Sequence, residues 1–247
     1  MNVVKIMGGL GNQLFQYALS KHLEQFDTVG LDVTYYDSDI NNNGDVPHRD
    51  FLLPCFVDDL VYAEQENRRR VNQWEYDRHM PYTDSWFFGD WQKSYFFDDA
   101  ELNIRLKDEY ITKGARVIAR ALQGENSVAI HIRRRDYINL GWTLDLDYYD
   151  RAIERIKSLT PNPVFYLFSD DIAWCIDNLE FDFKFYVCYD ELIDFWLMSK
   201  CKHNIIANSS YSFWSAYLNE NPDKIVIYPK DWICTSNPCE GLSWEAV

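Results

Sequence analysis

Three consecutive arginines at residues 133–135 follow a short apolar run at residues 128–130, and Asp136 comes directly after them. The apolar run predicts a buried strand. Because the formal net charge of the chain is −15, this concentration of positive charge needs an explanation. Guanidinium groups bind phosphate oxygens through paired donors, and ligands of open α/β sheets lie at the carboxyl ends of the strands. The pattern therefore indicates either a phosphate site or a solvated charge run at the end of a strand.

Two further predicted strands end in polar residues. One is followed by Asp170 and Asp171, and another by Ser209 and Ser210. Each pair has an ordinary explanation, because carboxylates are favoured at the start of a helix and serine is a common N-cap residue. However, the carboxyl ends of neighbouring parallel strands meet at one edge of a sheet. We therefore expect these side chains to share a site with the arginines.

A glycine-rich turn after the first predicted strand contains Gly9, Gly11, Asn12 and Gln13. A helix is expected to begin about Asn12 and to run to about Gln25. A strand, a glycine turn and a helix N-terminus form an anion site, because unpaired backbone amides lie there, and the Asn and Gln side chains add donors. The turn is neither a Gly-x-Gly-x-x-Gly nor a Walker motif, so dinucleotide binding is not supported. A purely structural turn is the alternative.

The segment at residues 86–97 is rich in aromatic side chains. Most of them are expected to pack in the core. Sugar sites also combine aromatic faces with polar groups, so Trp91 and Gln92 are candidates for binding a sugar acceptor. The arginines at residues 68–70 are expected on the solvated face of a helix, and another helix is predicted at residues 100–122.

Strands and helices alternate in the second half of the chain. This order predicts a parallel sheet flanked by helices. A polar linker at residues 123–126 is where we expect the domain boundary. The predicted strands of the whole chain are at residues 2–7, 28–34, 128–132, 164–169, 184–187, 204–208 and 225–228. The predicted helices of the second half are at residues 147–159, 172–178, 191–201 and 212–220.

Composition excludes several classes of function. The six cysteines are scattered and do not have the spacing of metal ligands, so we expect free thiols and no metal site. A pI near 4.7 argues against a nucleic-acid partner, since binding to the phosphate backbone requires a basic face. The chain lacks a run of ~20 apolar residues that would form a transmembrane helix, and Met1 leads straight into a strand without a signal peptide. We therefore expect a cytoplasmic protein, of undetermined oligomeric state.

Several stretches of the sequence match motifs of one known family. His131, Arg133, Arg134 and Asp136 fit the His-x-Arg-Arg-x-Asp motif of α1,2-, α1,6- and protein O-fucosyltransferases. Together with further motifs in the expected order, they make the chain resemble the α1,2-fucosyltransferase family (glycosyltransferase family 11) over nearly its whole length. Those motifs are Gly-Gly-Leu-Gly-Asn-Gln-Leu-Phe-Gln-Tyr-Ala at residues 8–18, Gly-Asp-Trp-Gln-Lys-Ser-Tyr-Phe at 89–96, Phe-Ser-Asp-Asp at 168–171 and Asn-Ser-Ser-Tyr-Ser-Phe-Trp at 208–214.

The resemblance implies an α/β fold that is GT-B-like, with two Rossmann-type lobes and the nucleotide in the C-terminal one. Residues 1–124 would form the N-terminal lobe on the acceptor side, with the glycine-rich loop, and residues 125–247 the nucleotide-sugar-binding lobe. The implied reaction transfers L-fucose from GDP-L-fucose, with inversion, to the 2-hydroxyl of a terminal galactose on an oligosaccharide. It requires no metal and no cofactor besides the donor substrate.

The resemblance also implies roles for individual residues. Arg133, with Arg134, would neutralise the charge on the leaving diphosphate, and Ser209 and Ser210 would donate to the same oxygens. Substrate-binding roles at the nucleotide would fall to His131, which is suited to the ribose or guanine, and to Asp170 and Asp171, which can accept from the guanine edge.

An inverting transfer needs one general base, and three carboxylates follow the arginines. Asp136 is the predicted catalytic carboxylate beside Arg133, although an ion pair that holds the arginine is an alternative role. Asp145 and Asp147 are further candidates.

Two other functions stay open. One is a transferase that uses a different nucleotide sugar, and the other is a non-catalytic protein that binds glycans through its aromatic-rich first half. The expected acceptor is a soluble or lipid-linked oligosaccharide at the inner face of the membrane. Peripheral contact with the membrane is compatible with this expectation, but the negative charge of the chain disfavours strong attachment to anionic lipid.

Overall fold

Two parallel β-sheets carry the fold, one in each of two units of the chain. The computed structural model describes residues 1–38, 41, 48–96, 102–185, 190–232 and 236–247. The units are Met1–Arg105 and Leu106–Val247. The boundary predicted at residues 123–126 falls inside the second unit, because the helix that precedes it packs against a later helix of that unit. Phe97, Cys188, Cys234, the loop at 42–47 and the end of the strand predicted at 184–187 lie outside the described residues.

In the described part of the first unit, four parallel strands form a sheet of order β2-β1-β4-β3. The first three residues of the central strand β1 are buried, and the first helix is buried along nearly its whole length. The helix begins two residues before the predicted Asn12. The elements are β1 (Asn2–Lys5), α1 (Leu10–Leu23), β2 (Val29–Asp32), β3 (Arg69–Asn72) and β4 (Ser85–Phe88).

Two predictions for this half of the chain are wrong. The arginines at residues 68–70 do not lie on a helix, because strand β3 pairs with β4 and inserts Val71 into the core opposite Phe87. The helix predicted at residues 100–122 is wrong only in its first part: the α-helix begins at Lys113, and before it residues 102–107 are not helical and Asp108–Tyr110 form a single short 3-10 turn. Leu102, Ile104 and Leu106 are buried and alternate with exposed residues, which is the period of extended backbone and not of a helix.

Six parallel strands form the sheet of the second unit within the residues that the structure describes, in the order β10-β9-β8-β5-β6-β7. The predicted parallel sheet flanked by helices is confirmed. The strands are β5 (Ser127–Ile132), β6 (Val164–Ser169), β7 (Lys184–Phe185), β8 (His203–Ile205), β9 (Val226–Tyr228) and β10 (Glu245–Ala246). The helices are α2 (Lys113–Gly124), α3 (Arg135–Leu140), α4 (Leu146–Leu159), α5 (Ile172–Asn178), α6 (Glu191–Lys200) and α7 (Ser210–Tyr217).

The core of this unit lies between the sheet and helices α4 and α5. Alternate residues of β5, namely Val128, Ile130 and Ile132, pack there against Tyr149 and Ile153 of α4. Burying an aliphatic side chain of this size contributes about 1.5–3 kcal/mol, so this layer fixes the position of β5. The intervening residues of the strand, including His131, are buried on the other face.

Candidate functional site

The ends of three neighbouring strands form the candidate site of the second unit. Strand β5 lies between β6 and β8. All its residues are buried, and charged side chains begin only after the strand ends, at Arg133. Ile132 of β5 lies opposite Ser169 of β6. The next residues, Arg133 and Asp170, therefore emerge side by side at the carboxyl edge of the sheet. The shared edge predicted for the arginines and the aspartates is present in the structure.

Arg133 is held between two carboxylates. Its Nη2 lies 2.7 Å from Oδ1 of Asp136, and its Nη1 lies 3.0 Å from Oδ2 of Asp170. Burial lowers the pKa of Arg133, but the charges of Asp170 and Asp136 more than offset this effect and leave the pKa raised. The guanidinium is therefore charged and fixed in place. It remains 22% exposed, which leaves part of it open to a ligand.

Arg134 is held by a stacking contact and by the next carboxylate. Its guanidinium carbon lies 3.4 Å from the centre of the Trp174 ring, and its Nε donates to Oδ2 of Asp171 at 3.3 Å. The backbone amide of Arg134 donates to Oδ1 of Asp170 at 2.8 Å. Both aspartates therefore bind the arginine segment in this structure. Their predicted contact with guanine stays a prediction.

Trp174 belongs to this site although its position in the sequence does not indicate it. Asp171 is the N-cap of α5 and accepts the Trp174 amide at 3.2 Å, so the indole lies one turn into the helix that follows β6. The separation of 40 residues between Arg134 and Trp174 leaves no local signal for this contact. Stacking on an indole and pairing with a carboxylate together restrict the guanidinium plane of Arg134.

His131 is a neutral imidazole beside this edge. The side chain is 5% exposed, and its ring centre lies 5.6 Å from that of Tyr211. Burial lowers the pKa of His131 to about 3, and the charge of Arg133 lowers it further. Its Nδ1 is buried and has no hydrogen-bond partner among the residues that the structure describes. A neutral ring with an unused nitrogen is suited to a polar group of a ligand.

The start of helix α7 contributes the third polar group. Ser209 occupies the N-cap position, but its side chain makes no capping hydrogen bond. A capping role therefore does not explain why a serine stands at this position. Ser210 is the first residue of the helix and is half-buried. Asn208 donates from Nδ2 to the carbonyl of Trp142 at 3.0 Å, while its buried Oδ1 has no partner in the described part of the chain. The N-terminus of a helix favours an anionic ligand.

The glycine-rich turn lies in the first unit and is mainly structural. Gly8 has a φ of +78°, and Gly9 is the N-cap of α1, with Gly11 buried behind it. Gln13 is 0% exposed. Its Nε2 donates to the carbonyls of Gly8 and Asp50 at 3.0 and 2.7 Å, and its Oε1 accepts the amide of Leu52 at 2.8 Å. These bonds use the Gln13 amide group on backbone partners, which is the structural role left open as the alternative; the contact between Gln13 and a substrate stays a prediction.

Asn12 and Gln92 form a chain of hydrogen bonds with Asp90. Gln92 donates from Nε2 to Oδ1 of Asn12 at 3.1 Å, and Asn12 donates from Nδ2 to Oδ1 of Asp90 at 3.4 Å. Burial raises the pKa of Asp90. These bonds join the motif at residues 8–18 to the motif at residues 89–96 within the first unit.

Trp91 is part of the aromatic core. It is 1% exposed, and its ring packs edge-on against Tyr76, Phe87 and Phe96 with centroid distances of 5.6, 5.9 and 6.1 Å. The ring is covered by these neighbours in this structure, and the contact between Trp91 and an acceptor stays a prediction. Packing in the core, the alternative expectation for this segment, accounts for the burial of Trp91.

The described ranges of the chain have gaps at 39–40, 42–47, 97–101, 186–189 and 233–235. They contain no group of three or more His, Cys, Asp or Glu side chains that would hold a metal ion. They also contain no helix long and apolar enough to cross a membrane. The four described cysteines, at residues 55, 175, 201 and 239, are buried.

Comparison with known proteins relates this geometry to a family. The model of glycosyl transferase family 11 matches residues 1–237. The O-antigen biosynthesis glycosyltransferase WbnK of Escherichia coli is 30% identical, over 94% of this chain and 95% of that protein. An alpha-1,2-colitosyltransferase of E. coli is 29% identical, over 93% of this chain and 91% of that protein. Galactoside alpha-(1,2)-fucosyltransferase 2 of Mus musculus is 25% identical, over 88% of this chain and 67% of that protein.

The fold is similar to a solved structure. Fucosyltransferase NodZ from Bradyrhizobium superimposes with a TM-score of 0.53 at 15% identity, over 88% of this chain and 93% of that chain. One NodZ structure was obtained after soaking with GDP-fucose. This similarity and the two parallel sheets confirm the predicted α/β, GT-B-like fold class.

Proposed function

The chain belongs to glycosyl transferase family 11, an enzyme family, and we propose that it transfers L-fucose from GDP-L-fucose to the 2-hydroxyl of a terminal galactose, with inversion at the anomeric carbon. The observation that carries the donor part is the pair of arginines at the end of β5, each held by a carboxylate from the end of β6. The galactoside fucosyltransferase among the relatives supports the acceptor, and the NodZ structure soaked with GDP-fucose supports the donor.

In the proposed reaction the acceptor 2-hydroxyl oxygen attacks the anomeric carbon of fucose while the bond from that carbon to the diphosphate breaks. The electron pair of the breaking bond leaves with GDP, and the hydroxyl proton passes to a base. Charge therefore develops on the diphosphate, where preorganised cations stabilise it most effectively. Arg133 and Arg134 supply two fixed guanidinium groups, so the proposed mechanism places no metal ion at the phosphates.

Four other groups complete the proposed donor site. Ser209, Ser210 and the N-terminus of α7 donate hydrogen bonds to phosphate oxygens, and the neutral imidazole of His131 contacts the nucleoside. Asp136 is bound to Arg133, so we assign it to positioning that arginine and leave the base unassigned among the carboxylates.

GDP-colitose is a second candidate donor, because one relative is an alpha-1,2-colitosyltransferase. Colitose is also a deoxy sugar, and the diphosphate contacts proposed above do not discriminate between sugars. The alternative is therefore transfer of colitose from its GDP derivative by the same site.

The test is isothermal titration of GDP and UDP, then of GDP-fucose and GDP-colitose, into the wild type and three variants. Arg133→Ala and Arg133→Lys should both weaken GDP binding roughly 30-fold or more. Alanine removes a charged contact with the diphosphate, and the lysine ammonium does not reproduce the paired N–H donors of a guanidinium. Arg120→Ala removes an exposed arginine of α2 in the same unit and should leave GDP binding unchanged.

Turnover with each donor and lactose then decides the sugar. Unchanged GDP binding in a folded Arg133→Ala protein would refute the assigned donor site. Binding of UDP in place of GDP would refute the donor itself. Faster turnover with GDP-colitose than with GDP-fucose would establish the second candidate.

A further inference from the structure

A cavity of about 390 Å³ opens in the first unit, and its lining includes Asp90, the carboxylate that Asn12 contacts. It lies at the carboxyl edge of the four-stranded sheet: Met7 follows β1, and Asn72 and Phe88 are the last residues of β3 and β4. Ligands of parallel α/β sheets bind at this edge. The position of the cavity therefore matches that of a binding site.

Aromatic surface borders the cavity. Trp74 is 75% exposed, which is unusual for the largest apolar side chain and leaves a flat ring in contact with solvent. Phe88 lies opposite the guanidinium of Arg70, whose central carbon is 4.3 Å from the ring centre. An exposed indole beside a cavity offers the kind of surface on which the apolar face of a pyranose ring stacks.

Polar side chains at the rim are arranged in a hydrogen-bonded series. Arg70 donates from Nε to Oδ1 of Asn72 at 2.9 Å, and Asn72 donates from Nδ2 to Oε2 of Glu75 at 3.2 Å. Asp90 contributes a second carboxylate to the lining. Planar carboxylate, amide and guanidinium groups form the paired hydrogen bonds that neighbouring sugar hydroxyls require.

The base of the cavity is held rigidly by backbone contacts. Oε1 of Gln73 accepts the amides of Asp90 and Trp91, both at 3.0 Å. Gly89 has a φ of +151°, and a Cβ there would lie 3.1 Å from Oε1 of Gln73. Gln16 donates from Nε2 to the carbonyl of Gly89 at 3.1 Å. These contacts place Asp90 before any ligand binds, which reduces the entropy lost on binding.

The charges around the cavity favour a neutral ligand. The lining contains two carboxylates, Glu75 and Asp90, and one guanidinium, that of Arg70, which already stacks on Phe88. A phosphate group would be repelled by this arrangement, whereas sugar hydroxyls donate readily to carboxylates. We propose that this cavity binds the acceptor saccharide, with a pyranose ring stacked on Trp74 and its hydroxyls hydrogen-bonded to Glu75 and Asp90. The inference rests on the glycosyl transfer proposed above.

The test measures saccharide binding separately from nucleotide binding. Lactose, lacto-N-biose and N-acetyllactosamine are titrated without nucleotide into the wild type, Trp74→Ala, Trp74→Phe and Tyr62→Ala. Tyr62 is also a half-exposed aromatic residue of the first unit and lies outside the cavity lining, so its variant is the matched control. The KM for the best saccharide and the Kd for GDP are measured with the same four proteins.

Trp74→Ala should raise the Kd and the KM for the saccharide roughly tenfold, with kcat and the Kd for GDP unchanged. Trp74→Phe should recover most of this loss because it restores a flat ring, and Tyr62→Ala should behave as the wild type. An unchanged saccharide KM in Trp74→Ala, a loss of GDP binding in that variant, or a wild type that binds none of the three disaccharides would overturn the inference. Saccharide binding without GDP binding would instead refute the proposed donor.

Discussion

Replacement of His131 by Phe should make the folding stability of the protein less sensitive to acid. Burial lowers the pKa of His131 to about 3, whereas the ordinary value is 6.5. Below pH 6.5 the unfolded chain therefore binds a proton at this residue, whereas the folded chain does not. Proton binding to the unfolded chain lowers the free energy of unfolding as the pH decreases from 6.5 toward 3, and this stability is regained above pH 6.5.

The magnitude follows from the same two values. Each pH unit between them changes the free energy of unfolding by about 1.4 kcal/mol, so His131 alone should cost the wild type about 2 kcal/mol between pH 7 and pH 5. Phe does not titrate and keeps the ring contact with Tyr211. The difference in stability between the two pH values should therefore be about 2 kcal/mol smaller in the variant.

Urea unfolding at pH 7 and pH 5 measures this difference for the wild type, for His131→Phe and for His79→Phe. His79 is exposed, so the same substitution there removes a ring that is solvated in the folded and unfolded chain alike. Its pH dependence should match that of the wild type. If the His131 variant loses as much stability between pH 7 and pH 5 as the wild type, the imidazole is not buried in its neutral form and the reasoning fails.

Two further predictions concern the first unit. Asp90→Asn should raise the midpoint of thermal unfolding at pH 7, because burial raises the pKa of Asp90 and makes a charged carboxylate there unfavourable. This increase in the midpoint should shrink as the pH falls through the raised pKa. An increase that stays the same at every pH in a thermal unfolding series would contradict a cause in the carboxylate charge. Gly8→Ala should cost about 1–2 kcal/mol in urea unfolding, because Gly8 has a φ of +78° and a Cβ there would lie 3.1 Å from Nδ2 of Asn12. Gly114→Ala, where the nearest atom is 3.8 Å away, is the control, and equal losses at both positions would argue against the strain.

The two longest strands of the second unit could be predicted because their sequences are largely apolar. Residues 128–132 and 164–169 have that pattern, and they form β5, which is buried throughout, and β6, which is buried except for the half-buried Val164. Strand β3 could not be predicted in the same way. Only Val71 of its four residues is fully buried, and its extended form depends on pairing with β4, which follows 13 residues later. A short polar segment takes its conformation from a partner that local sequence does not reveal.

The candidate site was predictable to the extent that it follows from strand ends. Arg133 and Asp170 come together because β5 and β6 are adjacent parallel strands in register. The roles of individual polar groups were not predictable, since they depend on contacts between distant segments. Gln13 binds the backbone of Asp50 and Leu52, and no pattern within residues 8–18 distinguishes this amide from one that binds a ligand.

The strand order of the first sheet has a consequence for synthesis of the protein. Strand β1 lies between β2 and β4, and β4 ends at Phe88. One edge of β1 therefore has no partner until more than 80 further residues have been translated, which takes roughly 4–16 s at the usual rate of elongation. Exposed strand edges are templates for association with other chains. We expect slower translation between residues 5 and 88 to increase aggregation more than an equal slowing after Phe88. Lack of a chaperone that binds nascent chains should increase aggregation further.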